Sequence, residues 1–187
     1  MLERVDLSLF HFINRSLANP FFDWLMPLFD KPKSWIPFIL IFWLLMAYKD
    51  QKYRKLLLIL VPLTILCCDQ FGGFIKDFGL RDRPWFALGI ENIRHLGGMG
   101  GKHASFPSNH ASNISGIAFL FSFIYPHLRC YFWGIAILIM FSRVYIGVHY
   151  PFDVFTGFLL GTLISCGLLI LIKRLLRMKL YKKIILI

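Results

Sequence analysis

The sequence predicts an all-α integral membrane protein, a helical bundle of five to six transmembrane helices with an N-terminal interfacial helix. Three observations point there. Hydrophobic residues make up 57% of the chain and aromatic residues 17%, and the mean hydropathy of +0.63 is too high for a soluble domain. The apolar residues gather into stretches near the ~20 residues that a helix needs to cross the hydrocarbon core. The charges collect at the ends of those stretches, where a bilayer tolerates them.

Within the first thirty residues no uninterrupted apolar run precedes a small-residue cleavage site, so a signal peptide is not expected. Leu2, Val5, Leu9, Ile13 and Leu17 recur at helical spacing, with Arg4, Ser8, His11 and Arg15 on the remaining face, which suits a helix lying in the interface. Asn19-Pro20 ends it, and aromatic-rich Phe21–Phe29 reads as a second interfacial or re-entrant piece, a sixth transmembrane helix being the alternative. Trp35–Tyr48 is a short span flanked by Lys31, Lys33 and Lys49, which can snorkel to the interfaces. Leu56–Phe74, Ser112–Pro126, Tyr131–Tyr145 and Val154–Ile172 are the other spans. The chain is expected to form one membrane-embedded domain: residues 1–33 an interfacial segment, 34–172 the transmembrane core and 173–187 a basic cytoplasmic tail.

The net charge of +11 does not mark a nucleic-acid protein, because the basic residues sit at helix ends and suit anionic lipid. Across five spans, Lys49, Lys52, Arg54, Lys55, Arg129 and the basic tail fall on one side, which is expected to be cytoplasmic. Cys67, Cys68, Cys130 and Cys166 lie within or beside spans and read as small buried residues, not as a disulfide framework. No obligate protein partner is evident.

Three polar clusters interrupt the apolar pattern, and span counting places all three on one membrane face. Lys76 and Arg83 are seven apart, so a helix continuing outward from the second span would point both the same way. Together they could clamp a phosphate, Arg through paired donors and Lys as a compact charge, or each could merely snorkel. Arg81 and Asp82 between them read as a solvated or locally paired couple. In Pro107-Ser108-Asn109-His110, Ser108 or Asn109 can cap a helix whose first N–H groups attract an anion, with His110 able to move a proton beside it. The preceding Gly97-Gly98-Met99-Gly100-Gly101 suits a lid or close backbone approach, or an ordinary connector, and His95 and His103 there read as solvent-facing. In Ser142-Arg143 with His149 and Asp153, the carboxylate can accept one ring N–H and leave the other nitrogen as a nucleophile, while Arg143 adds a third cation. A metal pair is the rival reading of His149 and Asp153, but no third ligand stands at a suggestive spacing.

Lys76-x6-Arg83-Pro84, Pro107-Ser108-Asn109-His110 and Ser142-Arg143-x5-His149-x3-Asp153 together resemble the signature of the type 2 phosphatidic acid phosphatases, membrane lipid phosphatases related to vanadium haloperoxidases. The resemblance covers roughly residues 66–157 and departs at Asn109, where the family usually has glycine. It implies a metal-independent and cofactor-free phosphatase. His149 would attack phosphorus to form a phosphohistidine, Asp153 would orient it and His110 would protonate the leaving oxygen. Lys76, Arg83, Arg143 and the backbone at Ser108 and Asn109 would hold the phosphoryl oxygens. The implied substrate is a phosphorylated lipid in the bacterial inner membrane, with the site facing the periplasm. The chain is most similar to the lipid A 1-phosphatase branch, with undecaprenyl diphosphate and phosphatidylglycerophosphate as alternative substrates. The reading from another class is an anionic-lipid transporter or channel using intramembrane Asp69 and Gln70. Asp69 also stands on one face with Lys76 and could support it.

Overall fold

The computed structural model describes residues 1–30 and 32–185, without the side chains of 32–34 and 176–185. The expected snorkelling of Lys31 and Lys33 and the basic side chains beyond Leu175 lie outside what is described. Helix α1 (Leu2–His11) runs into a π-helical turn, Phe12–Ser16. Asn19 then caps α2 (Pro20–Leu25), its side-chain oxygen accepting from Phe22 N at 2.9 Å, and a 3₁₀ turn, Met26–Asp30, leads on. The remaining helices are α3 (Pro32–Lys49), α4 (Arg54–Lys76), the single turn α5 (Pro84–Ala87), α6 (Asn109–Ile124), α7 (Arg129–Tyr145) and α8 (Pro151–Ile185). Among the described residues the β pairing is one isolated bridge, Arg81 with Ala104.

The five expected spans coincide with α3, α4, α6, α7 and α8. Among the described residues three segments are long and apolar enough to cross a membrane: Arg54–Lys76, Pro126–Tyr145 and Pro151–Leu175, with mean hydropathies of 1.9, 1.3 and 2.3. Helix α6 is shorter and sits at the centre, packed on α4, α7 and α8. Its contact with α8 is made of small residues, because nothing larger lets the backbones meet. A Cβ on Gly161 would lie 1.9 Å from Ser112 O, and one on Gly157 would lie 2.5 Å from Ser108 O. Lipid offers no hydrophobic drive between helices, so close packing and hydroxyl hydrogen bonds hold the seam. Ser165 Oγ donates to Gly116 O at 2.7 Å and Ser115 Oγ to Phe158 O at 3.1 Å. Gly161→Val is therefore expected to cost at least about 1–3 kcal/mol, or about 3–10 °C in Tm. Thermal unfolding in detergent measures this, and an unchanged Tm would contradict the packing described.

At the opposite end, α3 is tied to α4 by Trp43 Nε1, which donates to Leu57 O at 3.1 Å. Arg54 closes the C-terminus of α3, donating from Nε to Ala47 O at 3.1 Å and from Nη2 to Tyr48 O at 2.7 Å.

The apolar stripe of α1 turns outward, as suits a helix in the interface, leaving Leu2, Val5 and Leu9 exposed, while Asp6, Phe10 and Asn14 are buried. In a bilayer the outside is apolar, so the polar side chains are the ones that need partners within the protein. One expectation changes: α4 stops at Lys76 and does not carry Arg83 two turns further. The chain turns at Gly79, where φ is +60°, and Arg83 is set instead by its N–H donating to Lys102 O at 2.9 Å and by the bridge at Arg81.

Candidate active site

The turn between α7 and α8 builds one wall. Gly147 makes it possible: its φ is +78°, and a Cβ there would lie 2.6 Å from Arg94 O. His149 N then donates back to Arg143 O at 3.2 Å, and Pro151 opens α8. His149 is 2% exposed and Asp153 fully buried. His149 Nδ1 stands 3.7 Å from Asp153 Oδ2, adjacent as expected but longer than the hydrogen bond that the sequence predicts. Other groups hold Asp153. Its Oδ2 accepts from Ser105 Oγ at 2.6 Å and Tyr150 N at 2.9 Å, and its Oδ1 from Arg81 Nη1 at 3.0 Å. With Nδ1 toward the carboxylate, Nε2 is the nitrogen left to react. Burial pushes the His149 imidazole down to about 4, and Arg83 and Arg143 push the same way against Asp153. The ring is therefore neutral, with a lone pair, at ordinary pH.

The cations form the second wall. Arg143 is 2% exposed; its Nη2 donates to Asp30 Oδ1 at 2.6 Å, while Nε and Nη1 are buried without a protein partner. Buried guanidinium N–H groups left open in this way are suited to an anion's oxygens. Arg83 donates from Nε to Gly101 O at 3.0 Å and from Nη1 to Val148 O at 3.3 Å. The glycine loop packs directly on it, since a Cβ at Gly100 would lie 3.1 Å from the guanidinium carbon. Burial and the neighbouring Arg143 charge lower the Arg83 pKa, a sign that positive charge is crowded here. Lys76, at the end of α4, donates to Asn109 Oδ1.

The N-terminus of α6 forms the third wall. Ser108 caps it, accepting from Ala111 N at 3.5 Å, and is itself fixed by donating its N–H to Asp153 O at 3.0 Å. The leading N–H groups of a helix have no intrahelical partner and favour an anion. His110 follows in the first turn of α6. The structure thus gathers Lys76, Arg83, Ser108, Asn109, His110, Arg143, His149 and Asp153 around one end of the bundle.

Residues that the sequence did not single out hold this constellation together. Asp30 joins Arg143 to the glycine loop, its Oδ2 accepting from Gly98 N at 2.5 Å. Burial alone would raise the Asp30 carboxyl, but Arg143 and the Gly98 N–H more than reverse that and keep it below the ordinary carboxylate range. Arg81 does not pair with Asp82. It bridges Asp153 and buried Asp6, with Nη2 2.5 Å from Asp6 Oδ2, and lies 3.8 Å over the Tyr150 ring. Asp82 instead meets His103 at 2.6 Å on the surface. Asp23 binds Arg94 at 2.6 Å and accepts from Tyr145 Oη at 2.6 Å. Asn14 donates to Arg94 O and Tyr145 O, both at 2.8 Å, pinning the loop to the end of α7. His95 is not solvent-facing: both its ring nitrogens are buried, beside Trp85. The available signal was Asp6, Asp23 and Asp30, acids spaced along an interfacial segment that had no evident use for them. Asp30→Ala leaves the buried Arg143 charge unpaired and is expected to lower kcat/KM about 10- to 100-fold. Steady-state kinetics would check this, and unchanged kinetics would remove Asp30 from the positioning scheme.

A neutral buried histidine, a carboxylate behind it, three cations and a helix N-terminus, at one end of a bundle of apolar helices, define an integral-membrane phosphatase. The PAP2 superfamily profile matches residues 54–177, and the chain belongs to that family. It is 28% identical over 167 residues to the lipid A 4′-phosphatase of Porphyromonas gingivalis, covering 86% of this chain and 70% of that one. A shorter match, 35% identical over 74 residues, links it to the lipid A 1-phosphatase of Rhizobium johnstonii, covering 35% of this chain and 30% of that one. The crystal structure of Aquifex aeolicus LpxE superposes with a TM-score of 0.70 at 27% identity, covering 87% of this chain and 93% of that one. The chain is thus a multi-pass membrane lipid phosphatase, which sets aside the transporter alternative.

Proposed function

We propose that this lipid phosphatase removes phosphate from lipid A through a covalent phosphohistidine at His149, without a metal. The observation that carries the phosphate site is Arg143, buried beside His149 with two guanidinium N–H groups lacking a protein partner. In the first step His149 Nε2 forms a bond to phosphorus as the bond to the lipid oxygen breaks. His110 delivers the proton that the lipid oxygen takes up. In the second step His110 takes a proton from water, which attacks phosphorus, and the P–N bond breaks to release inorganic phosphate and restore His149. Lys76, Arg83, Arg143 and the N–H groups at the start of α6 stabilise the charge on the phosphoryl oxygens throughout. Asp153 sets the tautomer of His149 and balances its charge. Every charge-stabilising task falls to a side chain or backbone amide, which supports chemistry without a metal.

The sequence favours position 1 of lipid A, whereas the relative matched over most of the chain is named for position 4′; we take lipid A as substrate and position 4′ as favoured by the longer resemblance. The site belongs to a single membrane-embedded domain in which the N-terminal segment contributes the carboxylates behind the arginines. Lys49, Lys52, Arg54 and Lys55 cluster between α3 and α4 at the end away from the site. The positive-inside bias of these residues supports a site facing the periplasm of the inner membrane. Purified protein in EDTA is expected to release phosphate from lipid A, and mass spectrometry of the product reads the position. Activity lost in EDTA and restored by a divalent ion would contradict the mechanism.

The lowered His149 pKa also has a kinetic consequence. The histidine loses its nucleophilic lone pair only when protonated, so kcat/KM, corrected for the substrate's own titration, should keep its acid limb near pH 4 and not near 6.5. A pH profile of kcat/KM tests this, and an enzyme limb at the ordinary histidine value would contradict the buried, neutral state.

A further inference from the structure

Seven residues before Lys76, the membrane-spanning helix α4 carries an exposed carboxylate, Asp69. That spacing puts it on the same helix face, about 10 Å further along the axis into the membrane. An ionisable group at such a depth is costly and marks a site or a path. Asp69 is not isolated. Its Oδ1 accepts from Asn113 Nδ2 at 2.9 Å and from Asn109 Nδ2 at 3.4 Å, and Asn109 Oδ1 in turn accepts from Lys76. Lys76, Asn109, Asp69 and Asn113 therefore form a continuous polar row from the phosphate clamp down the cleft between α4 and α6. Gly72 makes room for it, since a Cβ there would lie 2.5 Å from Asn109 Oδ1.

The row has acceptors to spare. Asn113 Oδ1 is buried with no partner, and the hydrogen bonds to Asp69 among the described residues use only its Oδ1. Phosphate oxygens are themselves acceptors and are repelled by a carboxylate, so these atoms do not serve the phosphate. They fit donors, and the donors next to a lipid phosphate are hydroxyl groups. Resting on the lipid-phosphatase reading, we infer that Asp69 and Asn113 form a subsite for a hydroxyl-bearing head group, sugar or glycerol, that enters sideways between α4 and α6 while its acyl chains stay in the bilayer. Asn109, standing where the resembling family usually has glycine, links this subsite to Lys76. An isoprenoid diphosphate offers no hydroxyl to the row and gains nothing from it.

The test compares Asp69→Asn, Asn113→Leu and the parent protein in mixed micelles on three substrates: an acylated glucosamine phosphate, phosphatidylglycerophosphate and farnesyl diphosphate. Both substitutions should lower kcat/KM on the hydroxyl-bearing substrates about 10- to 100-fold, mostly through KM. Farnesyl diphosphate hydrolysis should stay within about twofold and so reports that the variants are folded. Loss confined to the glucosamine substrate assigns the subsite to sugar, and loss on both assigns it to hydroxyl groups in general. Equal loss on all three substrates, or none, overturns the subsite while leaving the phosphatase intact. A parent protein that hydrolyses farnesyl diphosphate alone overturns the subsite and the lipid A assignment together.

Discussion

His149→Ala is expected to abolish phosphate release, a loss of at least about 10⁵-fold, while the protein still folds. Removing the nucleophile leaves the cation clamp and the helix N-terminus able to bind substrate but unable to divide the reaction into two steps. Folding should survive because His149 Nδ1 is buried without a hydrogen bond, so the ring's loss orphans no side-chain partner. The backbone bond from His149 N to Arg143 O, which shapes the turn, does not involve the side chain. Phosphate release and Tm measured on the same preparation separate the two effects. A variant that keeps its activity would show that another group attacks phosphorus.

His110→Ala is expected to cost about 10²–10⁴ in kcat. The size of the loss should depend on the leaving group. A lipid alkoxide needs its proton in the transition state, whereas p-nitrophenolate leaves without one, so the variant should be far less impaired on p-nitrophenyl phosphate. If the loss is equal on both substrates, His110 contributes to binding or structure and not to proton transfer. Ser108, which caps the same turn, gives a contrast, since its change to alanine should lower stability by about 1 kcal/mol through the lost cap.

The long elements were legible because the bilayer makes them so. Spans such as Leu56–Phe74 and Val154–Ile172 announce themselves by length and hydropathy, and in the structure they lie inside α4 and α8. The site was legible where its residues are close in sequence, as with His149 and Asp153 on either side of the proline that opens α8. Long-range pairing was not. Nothing local ties Asp6 to Arg81 or Asp30 to Arg143, and each becomes visible only when α1 and the Met26–Asp30 turn lie against the site end of the bundle. The inward face of α1 was not legible for a related reason. Helical periodicity locates an apolar stripe but does not say which face meets the protein, and here that face is Asp6, Phe10 and Asn14, while Arg4, Ser8 and Arg15 stay exposed. Arg83 lies beside Arg143 and the glycine loop, but a turn at Gly79 and not a continuing helix brings it there.

The most direct test of the phosphohistidine is to quench the purified protein during turnover of ³²P-labelled lipid phosphate and follow the label on the chain. A phosphohistidine at His149 should give label that is stable in alkali, lost in acid, mapped to the peptide containing His149 and missing from His149→Ala. Turnover without any labelled protein at times that resolve single turnovers, or label that persists in His149→Ala, would contradict it.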